Sequence, residues 1–274
     1  MNLIDTPSPN HDSRSGTPVD MLVLHYTGMP TAAGALEKLT DPTPGKRVSA
    51  HYLVDEMGAV HRLVPENERA WHAGVSSWRG AADVNACSIG IEIANPGHDH
   101  GYNPFPPAQM AAVAELCQGI LARHPIPAWN VVAHSDIAPA RKQDPGELFD
   151  WKGLAEQGIG LWPAAHTNPL GEAVGWVMRL FGLQGEMLMP GSSGPKVLAM
   201  QQKLAQFGYN CPQCSTYGND TKTVVEAFQR HYRQAKVDGV WDGECNQLLG
   251  SLLAKVPSAT VTAPDGRMAA SALR

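Results

Sequence analysis

Met21-Leu22-Val23-Leu24, followed by His25 and Tyr26, is a short apolar run bounded by polar residues. It reads as a buried strand with His25 at its end. Asn130-Val131-Val132-Ala133-His134 repeats the pattern, a second short strand that ends in histidine. Between them, His51-Tyr52-Leu53-Val54 and Ala59-Val60-His61-Arg62-Leu63-Val64 flank Asp55-Glu56-Met57-Gly58, the composition of a hairpin with glycine in its turn. Ser88-Ile89-Gly90-Ile91-Glu92-Ile93 alternates, so Glu92 points away from the isoleucines onto the less apolar face. From Pro107, the residues Met110, Val113, Cys117 and Ile120 recur at three- and four-residue steps, one face of a helix with proline in its first turn. Residues 135–146, with two prolines and a cluster of polar side chains, are expected to form a loop. Strands and helices interleaved through about residue 155 predict an α/β fold, a mixed β-sheet flanked by helices.

With 274 residues, of which 43% are hydrophobic and 17% charged, the chain suits two unequal folded domains rather than a disordered polymer. A formal charge of −5 lacks the basic surplus that a phosphate backbone demands, which argues against nucleic acid and leaves a neutral ligand such as glycan. No window approaches the ~18 consecutive apolar residues of a membrane span, and the opening MNLIDTPSPNHDSRSG has no apolar signal core. Cys87, Cys117, Cys211, Cys214 and Cys245 are odd in number and irregular in spacing, so free thiols are expected. Cys211 and Cys214 form a CxxC pair, but no second pair stands at zinc-finger spacing.

After Gly194, Pro195 opens a helix in which Val197, Met200, Leu204 and Phe207 step by three, four and three, with Gly208 as its stop. A second helix follows Asp220, with Val225, Phe228 and Tyr232 on one face. A third begins near Asp242, with Leu248, Leu249, Leu252 and Leu253 inward. The expected organisation is a first domain at 1–165 and a packed linker at 166–186, where Trp176, Val177, Leu180 and Phe181 suggest a short amphipathic helix. A small C-terminal three-helix domain at 187–255 and a disordered tail at 256–274 follow.

His25 and His134 each end a strand, and Asp144 lies ten residues past the second, so two imidazoles and a carboxylate can meet on one rim. Two His and one carboxylate are a catalytic zinc set with the fourth position open to water. Eleven histidines also offer many coincidental pairs, and a strand-end histidine is more often a structural hydrogen-bonding residue. Taken alone, Glu92 reads as an exposed strand residue and Lys142 as a solvated loop charge.

LVLHYT at 22–27, WHAG at 71–74, SIGIEI at 88–93 and NVVAHSDIAPARKQDPG at 130–146 occur in order. Together they resemble the type 2 N-acetylmuramoyl-L-alanine amidases, the AmpD/AmiD group, over nearly the whole of the first 160 residues. The resemblance implies a zinc-dependent hydrolase, one Zn2+ per chain. It would cut the amide between N-acetylmuramic acid, ordinary or 1,6-anhydro, and L-alanine in peptidoglycan or muropeptides. It places the zinc ligands on His25, His134 and Asp144, the water-activating glutamate on Glu92, and an oxyanion-stabilising lysine on Lys142. In related phage amidases a tyrosine commonly precedes the histidine of the first hairpin strand. Here Ala50 precedes His51, which leaves Glu92 to act without it. His72 and Arg79, in a polar, glycine-bearing loop, are candidates for binding substrate; Trp71 suits glycan contact and core anchoring equally.

LMPGSSGPKVLAMQQKLAQFGY at 188–209, VVEAFQRHYR at 224–233 and VDGVWD at 237–242 resemble the three-helix peptidoglycan-binding domain of wall hydrolases. This implies a tether that raises affinity for polymeric wall without taking part in cleavage; the plain alternative is a helical cap that packs on the amidase. Two other functions compete. A non-catalytic peptidoglycan recognition protein typically lacks a metal ligand, whereas this chain keeps both histidines and the aspartate; a zinc peptidase shares the chemistry but not the motif set. The cytoplasm is the expected compartment, with the periplasm as the alternative that a wall-binding module favours.

Overall fold

Alternation along a strand sends neighbouring side chains to opposite faces. The structure, a computed structural model, describes residues 3–163 and 187–257. The first domain comprises β1 (Leu3–Asp5), β2 (His11–Ser13), β3 (Met21–Tyr26), α1 (Ala32–Thr40), β4 (Tyr52–Val54), β5 (Val60–Arg62), β6 (Glu68–Ala70) and α2 (Val84–Cys87). It continues with β7 (Ser88–Ile93), α3 (Pro107–Arg123), β8 (Val131–Ala133), α4 (His134–Ile137) and α5 (Trp151–Glu156). The C-terminal helices are α6 (Pro195–Phe207), α7 (Asn219–Tyr232) and α8 (Gly243–Leu253). Six strands form one mixed sheet in the order β1-β5-β4-β7-β3-β8, and β2 pairs with β6 in a separate antiparallel ribbon. Within the large sheet β3 lies parallel to β7 and β8, β7 parallel to β4, and β4 antiparallel to β5. The hairpin expected at 51–64 is this last pair; Gly58 takes φ 83° in its turn, and Asp55 accepts bonds from the amides of Met57 and Ala59.

Central parallel strands are covered on both sides, which is why they read as unbroken apolar runs. Leu22, Leu24, Ile89, Ile91 and Ile93 share one core with Val113, Leu116 and Ile120 of α3. Met21, Val23 and Val132 belong to a second core that continues into Val197, Leu204, Phe207, Phe228 and Leu252 of the C-terminal helices. The small C-terminal three-helix domain within residues 187–257 therefore shares an interior with the first domain. Trp78, fully buried at this junction, sets its ring edge against Tyr209 at 5.0 Å and Phe207 at 5.8 Å. An indole removes roughly 150–250 Å² from water when it is buried this way.

The stretch 135–146 is not wholly a loop, because its first residues close one helical turn as α4. The Asp136 carboxylate, at the third position of that turn, reaches back to the amide of Ala133 at 2.8 Å and caps it. The linker at 166–186, with its Trp176 helix, and the tail from 258 onward lie outside the described residues.

Candidate active site

Parallel strands deliver their C-terminal ends to one rim, the usual place for ligands in such sheets. In the β3/β7 register His25 pairs with Glu92, and in the β3/β8 register Leu24 pairs with Ala133, so His134 stands one residue beyond, beside His25. His25 and Glu92 both point to the face opposite the isoleucines. Asp144 reaches the same spot from the loop after α4, which is held by the bond from the Ser135 amide to the Asp144 carbonyl at 3.0 Å. The rim opens into a cleft of about 470 Å³ lined by Tyr26, Trp71, Glu92, His98, Lys142 and Asp144 among others.

Three donor atoms converge there. His25 Nδ1 lies 2.9 Å from His134 Nδ1 and 3.1 Å from Asp144 Oδ2, and His134 Nδ1 lies 3.0 Å from the same oxygen. The tautomers follow from the groups behind them. Ser88 Oγ has one hydrogen, which it gives to the Val84 carbonyl at 2.5 Å, so it accepts from His72 Nε2–H at 3.2 Å. His72 Nδ1 is then a lone pair, which accepts from His25 Nε2–H at 3.0 Å, and His25 Nδ1 is left unprotonated. His134 Nε2–H donates to the Ala73 carbonyl at 3.1 Å, so in the neutral ring Nδ1 is the unprotonated nitrogen.

The electrostatics of His25 agree with this assignment. Burial, then the proximity of His134, lowers the His25 pKa to about 4, so the ring is neutral near pH 7. Burial alone would raise the Asp144 carboxyl, but the neighbouring His134 and His25 hold it far below the usual range. Two imidazole lone pairs 2.9 Å apart beside a carboxylate repel one another unless a proton or a metal cation lies among them. The three donor atoms sit close to the edge length of about 3.3 Å that a tetrahedral zinc with bonds of ~2.0–2.1 Å requires. The residues fit that ion.

Glu92 faces the cluster with its Oε2 buried and without a hydrogen-bond partner. Burial, then the Asp144 charge, pushes its pKa well above the ordinary value, and the Lys142 charge pulls it part of the way back. A carboxyl so placed can accept a proton and then return it.

Against known proteins, residues 15–147 match the family model described as N-acetylmuramoyl-L-alanine amidase. Residues 193–249 match a putative peptidoglycan binding domain. The N-acetylmuramoyl-L-alanine amidase AmiD of Escherichia coli is 39% identical over 249 residues, covering 86% of this chain and 83% of that protein. The chain belongs to the N-acetylmuramoyl-L-alanine amidase family. This amidase also superposes on AmiD in complex with anhydro-N-acetylmuramic acid-L-Ala-D-gamma-Glu-L-Lys with a TM-score of 0.70, over 89% of this chain and 92% of AmiD at 37% identity. AmpDh3 of Pseudomonas aeruginosa, in complex with anhydromuramic pentapeptide, aligns with a TM-score of 0.73 at 31% identity, over 92% of this chain and 96% of that one.

Of the residues singled out in the amidase sequence, His134, Asp144, Glu92 and Lys142 line the cleft, and His25 meets His134 and Asp144 at its floor. His72 lines it too, but both of its ring nitrogens are spent on His25 and Ser88, so its polar atoms serve the site from behind. Arg79, expected at the substrate, lies outside the cleft lining. Its backbone is at φ 48°, its Nη1 donates to the Phe207 carbonyl at 2.7 Å and its amide to Gly208 at 2.9 Å, which ties the first domain to the C-terminal helices. Trp71 takes the cleft position, with Nε1 on Asp12 and Arg47 5.8 Å from its ring. Sequence reasoning missed Ser88 and the Ala73 carbonyl, whose roles depend on strands and loops meeting in space. It also missed Arg141, which donates to the carbonyls of Ala73 and Val75.

Proposed function

We propose that this amidase holds one zinc ion through His25 Nδ1, His134 Nδ1 and Asp144 Oδ2. With it, the chain would hydrolyse the bond between N-acetylmuramic acid, including the 1,6-anhydro form, and L-alanine. The observation that carries the reading is the convergence of those three atoms, with both imidazoles turned to present lone pairs. Bound there, zinc supplies Lewis acidity, which acidifies water and polarises a carbonyl. Glu92, whose unpartnered oxygen faces the cleft, takes the proton of the attacking water and returns it to the departing alanine amine. Lys142 brings positive charge to the oxygen on which negative charge develops. The soluble anhydromuramic peptides named in the complexes of AmiD and AmpDh3 support including the anhydro form among the substrates.

In this reading residues 1–165 form the hydrolytic domain and 187–255 a wall-binding domain that is also a structural layer. Among the described residues no helix is long and apolar enough to cross a membrane. The cytoplasm is the compartment we favour, on the strength of five free thiols; finding the full-length protein outside the inner membrane after fractionation would overturn it. The function is tested by digesting defined muropeptides with and without chelator and weighing the products. Cleavage at the sugar–alanine amide that chelator abolishes and zinc restores is the expected result, and cleavage between amino acids would make the chain a peptidase. Elemental analysis of the parent and His134→Ala completes the test, since equal zinc in both would refute the ligand set.

A further inference from the structure

We propose that the C-terminal helices position the metal site through a buried clamp on Asp136, with Tyr209 and His231 as positioning residues for His134. This rests on the zinc reading above and extends it to residues of the other domain. Asp136 is fully buried and accepts three hydrogen bonds. The Ala133 amide reaches its Oδ2 at 2.8 Å from the residue that immediately precedes the candidate ligand His134. The other two donors come from beyond residue 187. Tyr209 Oη donates to Oδ1 at 2.6 Å, and His231 Nδ1 donates to Oδ2 at 2.6 Å.

Both donors are themselves fixed. Tyr209 follows α6 and packs against Trp78. His231, on α7, is stacked on Trp151 of α5 with centroids 3.8 Å apart and planes 24° apart. Tyr209 and His231 are 2% and 1% exposed, so water does not reach the carboxylate to replace either bond. The carboxylate therefore has one orientation, and through the Ala133 amide it sets where β8 stops and α4 starts. That turn aims His134 Nδ1 at His25 and Asp144 while its Nε2 meets Ala73. A module whose sole task was to grip wall polymer would have no need of two buried donors on this carboxylate.

The test uses the full-length chain at a temperature where circular dichroism shows every variant folded. Zinc affinity is read by competition with a chromophoric chelator, and kcat and KM on a soluble muropeptide are measured alongside. Tyr209→Phe keeps the ring and deletes the hydroxyl; His231→Leu removes the donor; His231→Asn restores a donor near the Nδ1 position. Tyr209→Phe and His231→Leu are expected to weaken zinc binding by about tenfold, the lower end of what outer-shell partners of a metal ligand are worth. KM should stay near parental, kcat should recover as zinc is raised, and His231→Asn should regain most of the affinity. Parental zinc affinity in Tyr209→Phe and His231→Leu, whatever their melting temperatures, would refute the clamp and leave the metal reading standing. Equal loss in His231→Leu and His231→Asn would also refute it, because packing rather than the hydrogen bond would then be the cause. A parental protein that takes up no zinc would defeat the metal reading and the clamp together.

Discussion

Gly90→Ala probes the support behind His25 with a single methyl group. Gly90 lies in the middle of β7, and a Cβ built on it falls 2.6 Å from both Cδ2 and Nδ1 of His72. Carbon contacts are optimal at about 3.5–4.0 Å, so the ring must retreat by about 1 Å. It has little room, being 9% exposed and bonded at one nitrogen to His25 and at the other to Ser88. Overpacking of this kind costs about 1–3 kcal/mol, which for a chain of this size lowers the melting temperature by roughly 2–4 °C per kcal/mol. A displaced His72 also stops holding the tautomer of His25, so zinc affinity should fall by about 10- to 100-fold. The assay is a thermal melt of the metal-free protein combined with a chelator competition. In the double variant Gly90→Ala/His72→Ala the clash disappears, so stability should partly return while zinc affinity does not. Parental stability and affinity in Gly90→Ala would refute the packing argument. Restored affinity in the double variant would refute the support role of His72.

Further outcomes follow from other parts of the molecule. Glu92→Ala should retain zinc and lose about 10²- to 10⁴-fold in turnover, the usual worth of a positioned proton-transfer group; near-parental turnover would move that role elsewhere. Because the Lys142 charge lowers the Glu92 pKa, Lys142→Met should shift the acidic limb of kcat/KM to higher pH as well as slow the reaction; an unmoved limb would assign it to another group. Burial would raise the Glu66 carboxyl, but hydrogen bonds from Arg123, His124 and Tyr52 outweigh it and bring its pKa from 4.5 to about 2. A depressed folded-state pKa gives stability that is present above pH 4.5 and lost as pH falls towards 2. With Arg123 51% exposed, screening limits the effect to about 1–2 kcal/mol, so denaturant titrations of parent and Glu66→Gln should differ at pH 6 and converge by pH 2. A truncated chain ending at 165 should lose activity on soluble muropeptides and sacculi alike, since the removed helices share a core with β3; full activity on the soluble substrate would leave them a tether alone.

What was legible in the sequence was what short segments decide by themselves. The runs ending in His25 and His134, the hairpin around Gly58 and the helix from Pro107 each carry a periodicity or a turn residue that acts locally. The C-terminal helices stand where Pro195, Gly208 and Asp242 place their starts and stops, with Asp242 accepting from the Cys245 amide as an N-cap. Strands β1, β2 and β6 went unread because three residues, Ala70 apart outside the core, are too few to show alternation and exist through their partners. Helix α1 did offer a signal in Thr31, whose hydroxyl caps Gly34, but its only large apolar residues are Leu36 and Leu39. The donor atoms of the candidate site came from motif resemblance. Their orientation did not, because it is set by Ser88, the Ala73 carbonyl and Asp136, none of which marks itself in one dimension. Arg79 was misplaced for a related reason: an arginine in a glycine-bearing loop looks the same whether it faces a ligand or the carbonyl end of a distant helix.

The shared interior also has a consequence for biosynthesis. A ribosome releases the sheet and α3 first, and at ~5–20 residues per second the ~100 residues between the end of α5 and the end of α8 take about 5–20 s more to appear. Throughout that interval Met21, Val23, Trp78 and Val132 have one side without a partner, and Asp136 waits for two of its three donors. The nascent amidase thus keeps one apolar side uncovered until its C-terminal helices arrive, and under the proposed clamp the same event completes the support of His134.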